Sequence, residues 1–125
     1  MFQGLRSLIF QVPDLQAASQ WYQEILSQTP YFDQPFYIGF NVGGYELGLL
    51  PESPDRPPQR GDSVSCYWGV ADIQAAYARL IALGAQPERK IENVGGEIEL
   101  ASLRDPWGNL FGIIYNPHFS LPTEN

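Results

Sequence analysis

The chain has 125 residues, of which 44% are hydrophobic and 17% are charged. This length predicts one domain, or two at most. Taken as one domain, residues 1–125 bury roughly two-thirds of their unfolded surface and need no metal or disulfide to fold. Fourteen acidic and seven basic residues leave a formal net charge of −7, which disfavours nucleic acid and anionic membranes as partners. Cys66 is the single cysteine, and the N-terminus has no signal-peptide pattern, so we expect a cytoplasmic protein without disulfides.

The first half of the chain, about residues 5–50, predicts a strand, a helix and three further strands. An apolar, β-prone run over residues 8–12 precedes Asp14, whose carboxylate is suited to accept hydrogen bonds from the first helical turn. The helix has an apolar stripe with helical spacing, made of Leu15, Ala18, Tyr22 and Ile25. Three short β-like runs follow, over residues 30–33, 36–42 and 45–50. Gly43-Gly44 predicts a hairpin turn between the last two runs.

Residues 51–62 contain four prolines and predict an extended, semi-rigid connector. The second half, about residues 63–116, then repeats the order of elements found in the first. A β-prone run over 64–70 precedes Asp72, and the following apolar stripe consists of Ile73, Ala76, Leu80 and Leu83. Gly84 is expected to end this helix. The later strands are predicted over residues 90–94, 97–103 and 110–116, and the tail 117–125 has no periodicity.

An internal repeat supports this division. Residues 10–18 align with residues 68–76 at an offset of 58, and five of the nine aligned positions are identical. Because the strand and N-cap signals agree in both copies, we interpret the chain as two tandem βαβββ modules of the α+β class.

The repeat and two motifs resemble the vicinal oxygen chelate superfamily, which includes glyoxalase I, bleomycin-resistance proteins and extradiol dioxygenases. One motif is the strand-to-helix segment over residues 10–15, with Trp21 and Tyr22 downstream; the other is Asp-Pro-Trp-Gly-Asn at 105–109. The resemblance covers about residues 5–116. It implies an incomplete eight-stranded barrel that encloses a cavity, and usually a homodimer. The turn at 105–109 also has a simple structural interpretation, because Pro, Gly and Asn favour turns.

The positions where metal-dependent members of this family carry their ligands are occupied here by Ser7, Gly48, Ser65 and Gly112. Glycine has no side-chain donor and a hydroxyl is a poor ligand, whereas Zn, Ni or Fe require His, Cys or carboxylate. The single histidine, His118, lies after the final predicted strand. We therefore expect no metal and no other cofactor.

Other catalytic arrangements find little support. Ser7 and Ser65 have no histidine to activate them. Strand alternation directs Cys66 away from the cavity, where a buried, unreactive thiol is expected. Glu97 and Glu99 are two residues apart on a predicted strand and would share one face, either as an acid/base pair or as part of a solvated edge. No catalytic residue is assigned.

The resemblance implies that the four ligand positions face the cavity, and alternation along their strands then predicts which neighbouring side chains line it as well. Trp107 is added because a large aromatic side chain at a turn tip is expected to border the cavity or contact a dimer partner. The predicted ligand-binding residues are Ser7, Ile9, Gln11, Glu46, Gly48, Ser65, Tyr67, Trp107 and Gly112. In an alternative interpretation, aromatic side chains fill the space above the glycines as ordinary core.

Two classes of function follow. The first is a metal-free protein that sequesters a small aromatic or cationic compound, as bleomycin-resistance proteins do. The second is a lyase, isomerase or dioxygenase-type enzyme of the same superfamily with catalytic groups that the sequence does not reveal. An interaction module without a ligand is a third interpretation. The expected partners are a small molecule and a second copy of the chain.

Overall fold

The computed structural model describes residues 1, 3–55, 57 and 65–121. The chain divides into two compact units, Met1–Gln59 and Arg60–Asn125. Within the predicted connector 51–62, residues 56 and 58–62 lie outside the described residues, as do residue 64 of a predicted strand and residues 122–125 of the tail. Each unit is described by itself below.

The first unit contains module one, which is a four-stranded mixed sheet with one helix. Its elements are β1 (Ser7–Val12), α1 (Leu15–Leu26), β2 (Phe32–Gln34), β3 (Tyr37–Val42) and β4 (Tyr45–Pro51). The strand order is β1-β4-β3-β2. The first strand pairs with β4 in parallel, and the other pairs are antiparallel.

Helix α1 begins where the sequence predicts and covers one face of this sheet. The Asp14 carboxylate accepts a hydrogen bond of 3.1 Å from the backbone amide of Ala17, which satisfies a donor that the helix itself leaves without a partner. The buried ring of Tyr22 contacts Phe10 of β1 and Phe40 of β3. The apolar stripe of α1 therefore packs on the sheet face that carries Phe10 and Phe40.

The second unit contains module two, built in the same order. Its elements are β5 (Tyr67–Gly69), α2 (Ile73–Ala82), β6 (Gln86–Asn93), β7 (Glu99–Arg104) and β8 (Leu110–Tyr115). The strand order is β5-β8-β7-β6, with β5 and β8 parallel. The prediction of two tandem βαβββ modules in the α+β class is confirmed.

The predicted boundaries of α2 are confirmed by its caps. Asp72 accepts a 3.1 Å hydrogen bond from the amide of Ala75, and Gly84 has a φ of 109° directly after the C-cap. The amide of Ala85 then donates to the carbonyl of Leu80. This left-handed glycine closes the helix and sends the chain directly into β6.

Strand β6 begins at Gln86, four residues before the predicted start at residue 90. The strand lies at the edge of its sheet, and all of its residues except Ile91 are exposed. An exposed edge strand has no need of apolar residues at alternate positions, so its sequence lacks the pattern from which strands are predicted.

Both glycine pairs form turns. Gly43 and Gly44 have φ values of 61° and 93°, as a two-residue hairpin turn requires. The turn at Gly95-Gly96 extends to Glu97, which has a φ of 66°, and β7 begins only at Glu99. The prediction that Glu97 and Glu99 share one strand face is therefore wrong, because Glu97 belongs to the turn.

The loop at residues 105–109 is organised by one buried carboxylate. Asp105, 1% exposed, accepts hydrogen bonds from the backbone amides of Trp107 at 2.9 Å and Asn109 at 2.8 Å. The Asn109 side-chain amide donates to the same carboxylate at 2.9 Å. The structural role of this loop is thus confirmed, although Asn109 contributes through its side chain, and the left-handed residue is Gly108.

Candidate functional site

The predicted site residues of module one lie together on the sheet face opposite α1. Strand register pairs Ser7 with Glu46, Ile9 with Gly48 and Gln11 with Leu50. Side chains alternate between the faces of a strand, and Phe10 and Phe40 face the helix. We call the opposite side, which carries Ser7, Ile9, Gln11, Glu46, Gly48 and Leu50, the helix-free face of module one.

A tyrosine ring covers Gly48 on this face. A Cβ atom added at Gly48 would lie 2.7 Å from Cζ and 2.9 Å from Cε1 of Tyr37, distances at which atoms overlap. Burial raises the pKa of Tyr37 above its ordinary value of 10.0. The space opened by this glycine is therefore filled by an aromatic ring, as in the alternative interpretation of the sequence.

Glu46 lies in the same region, hydrogen-bonded by a second tyrosine. The hydroxyl of Tyr31 donates to Oε1 of Glu46, and a Cβ atom at Gly39 would lie 2.9 Å from that oxygen and 3.3 Å from Cε1 of Tyr31. The ring of Phe32 lies 6.0 Å from that of Tyr37. A half-buried carboxylate thus contacts Tyr31 on the sheet face that also carries the rings of Phe32 and Tyr37.

In module two, a pocket of about 240 Å³ opens on the sheet. It is lined by Ser65, Cys66, Tyr67, Glu88, Arg89, Ser102, Leu110, Phe111 and Gly112. Three of the predicted site residues, Ser65, Tyr67 and Gly112, are therefore brought together.

Tyr67 covers Gly112 in this pocket. A Cβ atom at Gly112 would collide with the Tyr67 ring and would lie 3.0 Å from the carbonyl oxygen of Ala101. Tyr67 nevertheless remains 41% exposed, so one side of its ring is open to a ligand. Glycine is required at this position to let the ring lie against the sheet.

Two ionisable groups of the pocket are held uncharged or paired. Glu88 forms a bidentate ion pair with Arg104. The guanidinium donates from Nε to Oε2 at 3.0 Å and from Nη2 to Oε1 at 3.3 Å. Burial raises the pKa of the Cys66 thiol, an effect that the backbone amide of Gly112 opposes in part. Cys66 is half-buried and borders the pocket, so the prediction that it faces away from the cavity is corrected. It precedes β5, where strand alternation does not apply.

Trp107 is half-buried and does not border the pocket of module two. The prediction that its ring borders a cavity or contacts a dimer partner stays a prediction. His118 lies in the tail, and its Nε2 is 2.6 Å from the carbonyl oxygen of Gly96. Within residues 1, 3–55, 57 and 65–121, no three His, Cys, Asp or Glu side chains cluster closely enough to hold a metal ion.

Sequence reasoning missed five side chains on which the two sites are argued below: Tyr31, Phe32, Tyr37, Arg89 and Ser102. Alternation along β3 could have predicted the position of Tyr37, because Tyr37 lies on the same side of that strand as Gly39. Arg89 lies in the polar edge strand that was predicted too short. Tyr31 precedes β2, and no local pattern marks it.

No helix in the described part of the chain is both long and apolar enough to cross a membrane. The search of curated proteins found no match to this chain. Among solved structures, a glyoxalase-related enzyme from Fulvimarina pelagi superimposes with a TM-score of 0.80 at 21% identity, covering 97% of this chain and 94% of that one. The fosfomycin resistance protein FosX from Listeria monocytogenes gives a TM-score of 0.77 at 18% identity, covering 94% and 97%.

Lactoylglutathione lyase from Agrobacterium tumefaciens is also similar, with a TM-score of 0.67 at 17% identity over 92% of this chain and 95% of that one. At these identities the likeness shows the fold. The family model described as Glyoxalase/Bleomycin resistance protein/Dioxygenase superfamily matches residues 4–113. The tandem modules, the turn at 105–109 and this match agree, and the chain belongs to the glyoxalase/bleomycin resistance protein/dioxygenase superfamily.

Proposed function

We propose that the protein binds a small aromatic cation, without a metal, on the helix-free face of module one. One observation carries the proposal: the carboxylate of Glu46 is held by Tyr31 on a face that also carries the rings of Phe32 and Tyr37. A carboxylate attracts a cation directly, and aromatic faces attract it through their quadrupoles.

The local geometry supports a binding role for Glu46. The Tyr31 hydroxyl donates to one carboxylate oxygen, which fixes the direction of the group and leaves its second oxygen for a ligand. Glu46 is half-buried, and its cross-strand neighbours Ser7 and Asn41 carry no charge. A cation placed here would therefore meet a single oriented negative charge in partly desolvated surroundings.

The same residues support metal-independent binding. Ser7 and Gly48 lie beside Glu46 and Ile9 in the β1–β4 pairing, and they offer one hydroxyl between them. Tyr37 occupies the space above Gly48. This set of donors is poor for Zn, Ni or Fe, which take His, Cys and carboxylate ligands.

Calorimetric titration with benzylammonium and its neutral analogue benzyl alcohol tests the proposal. We expect Glu46→Gln to weaken binding of benzylammonium by about tenfold or more, since hydrogen bonds to charged groups contribute about 1.5–3 kcal/mol. Binding of benzyl alcohol is expected to stay within about twofold, because the substitution preserves shape.

Asp33→Asn is the matched control. It removes one negative charge from the same module, but Asp33 pairs with Ile38 and so lies on the opposite side of the sheet from Phe32. Equal losses of benzylammonium binding in Glu46→Gln and Asp33→Asn would show a general charge effect and contradict the proposal.

The homodimer implied by the resemblance is proposed as well. Sedimentation equilibrium at micromolar concentration should give twice the mass of the 14.0 kDa chain. A single species with the mass of one chain would contradict it. The cytoplasmic location stays a prediction of the sequence.

A further inference from the structure

We infer that the pocket of module two binds the carboxylate of a small organic acid through Arg89 and Ser102. The inference goes beyond the proposed function, since it concerns other residues and a ligand of opposite charge. The two proposals can therefore fail independently of each other.

Strand register aligns the groups that would form the site. Tyr67 pairs with Gly112, Gly112 with Ser102, and Ser102 with Arg89, so four residues of the pocket form one row across the sheet. The ring of Tyr67 lies over Gly112, and Ser102 and Arg89 follow beyond it in the row. A small ligand lying along the row can contact the tyrosine ring at one end and the guanidinium at the other.

A β-bulge separates the roles of Glu88 and Arg89. Pro87 pairs with Leu103 and Arg89 pairs with Ser102, so Glu88 is an extra residue on β6. Bulges redirect the side chains next to them. Here the bulge lets Glu88 reach Arg104 while Arg89 stays in register with Ser102.

The charges of the pocket leave one cation uncompensated. The carboxylate of Glu88 is neutralised by its bidentate pair with Arg104. Burial raises the pKa of the Cys66 thiol and so disfavours a thiolate in the pocket. Among the described residues, Arg89 makes no hydrogen bond or ion pair, and the Ser102 hydroxyl beside it makes none either.

These groups specify the chemistry of the ligand. A guanidinium binds a carboxylate through two parallel hydrogen bonds, and the Ser102 hydroxyl can donate a third. The ring of Tyr67 and the side chain of Leu110 suit an apolar or aromatic body. A pocket of about 240 Å³ lies below the usual range of about 300–1,000 Å³ for drug-sized ligands. One uncompensated cation matches a monoanion better than a phosphate dianion.

Titration with benzoate, benzyl alcohol and inorganic phosphate tests the inference on the full chain. We expect benzoate to bind more tightly than benzyl alcohol and phosphate. Arg89→Gln should weaken benzoate binding by about tenfold or more, because the ion pair is lost. Benzyl alcohol should bind Arg89→Gln as it binds the unchanged protein.

Lys90→Gln provides the matched control, because Lys90 is exposed, adjoins Arg89 on β6 and does not border the pocket. It should change benzoate binding by less than about twofold, the scale of a screened surface charge. Both residues are exposed, so neither substitution should affect folding, and thermal unfolding verifies this.

Equal losses in the two variants, no measurable binding of benzoate, or tighter binding of phosphate would each overturn the inference. Titration of benzylammonium against Arg89→Gln separates the two proposals. Unchanged binding of that cation, together with loss of benzoate, would leave the function of module one intact and place the anion site in module two.

Discussion

Module one and module two follow the same path through their sheets but differ in the side chains at equivalent positions. The row through the glycine of the last strand contains Ile9, Gly48, Gly39 and Phe32 in module one. The equivalent row in module two contains Tyr67, Gly112, Ser102 and Arg89. One row is apolar and adjoins Glu46, whereas the other ends in a hydroxyl and a cation.

The glycines of the two rows have the same task but different partners. Tyr37 covers Gly48 from β3, whereas Tyr67 covers Gly112 from β5. The covering tyrosine of module one therefore lies on the strand that follows the glycine strand in the sheet order, whereas that of module two lies on the strand that precedes it. The repeated backbone leaves space above the glycine in both modules. The side chains of each module determine which strand supplies the tyrosine that fills it.

The connection between the last two strands also differs, and this difference gives the largest predicted effect. Asp105→Ala should lower the free energy of unfolding by roughly 2–4 kcal/mol, because the part-buried amide of Trp107 and the buried amide of Asn109 lose their acceptor. In module one, Asn41 accepts from Gly44 at an exposed site, so Asn41→Ala should cost only about 0.5–1 kcal/mol. Urea denaturation of both variants measures the difference, and equal costs would contradict a buried role for Asp105.

The two glycines should also differ in their tolerance of a methyl group. Gly112→Ala brings Cβ against the Ala101 carbonyl as well as the Tyr67 ring, and it should cost about 1–3 kcal/mol. At Gly48 the three atoms nearest an added Cβ all belong to the far end of the Tyr37 ring, which can move, so Gly48→Ala should cost about 1 kcal/mol or less. Replacing the covering tyrosine with alanine in the same chain should remove the destabilisation of Gly48→Ala fully and that of Gly112→Ala in part. The opposite pattern of relief would show that the rings are placed differently.

The helix caps are the feature in which the modules should behave alike. Asp14 and Asp72 accept hydrogen bonds of equal length, 3.1 Å, at equivalent positions. Asp14→Ala and Asp72→Ala should therefore each cost about 1 kcal/mol. Denaturation curves that separate the two costs by more than about twofold would mean that the caps are not equivalent.

The smallest effect is a dependence of stability on alkaline pH. Burial raises the pKa of Cys66 above 9.0 and that of Tyr37 above 10.0. The unfolded chain releases these protons first, so stability should fall as the pH rises through these values, first for the thiol and then for the phenol. Measuring the free energy of unfolding of Cys66→Ala and Tyr37→Phe from neutral to high pH tests whether the thiol acts before the phenol. A loss of stability that is identical in both variants and the unchanged protein would exclude these groups as its cause.

The sequence predicted those features that local chemistry decides. Asp14, Asp72 and Gly84 act through hydrogen bonds and backbone angles within a few residues. Once the family resemblance directs Ser7 toward the cavity, alternation along β1 places Ile9 and Gln11 on the same face. The start of β6 was missed because an exposed edge strand needs no apolar alternation.

The contents of the candidate sites were harder to predict. The rings of Tyr31 and Tyr37 reach Glu46 and Gly48 from other parts of the chain, and their positions depend on strand register. Arg89 becomes a candidate only after the bulge and the pair between Glu88 and Arg104 are known. Such contacts are tertiary, and no periodicity in a single sequence reveals them.

The most direct test of the proposed function is a nuclear magnetic resonance titration of the isotope-labelled chain with benzylammonium, which follows the backbone amides individually. Binding beside Glu46 predicts the largest shift changes at residues 31, 37, 39, 46 and 48, and their loss in Glu46→Gln with no such loss in Asp33→Asn. Saturable changes that spare these five amides, or that survive Glu46→Gln undiminished, would contradict the account.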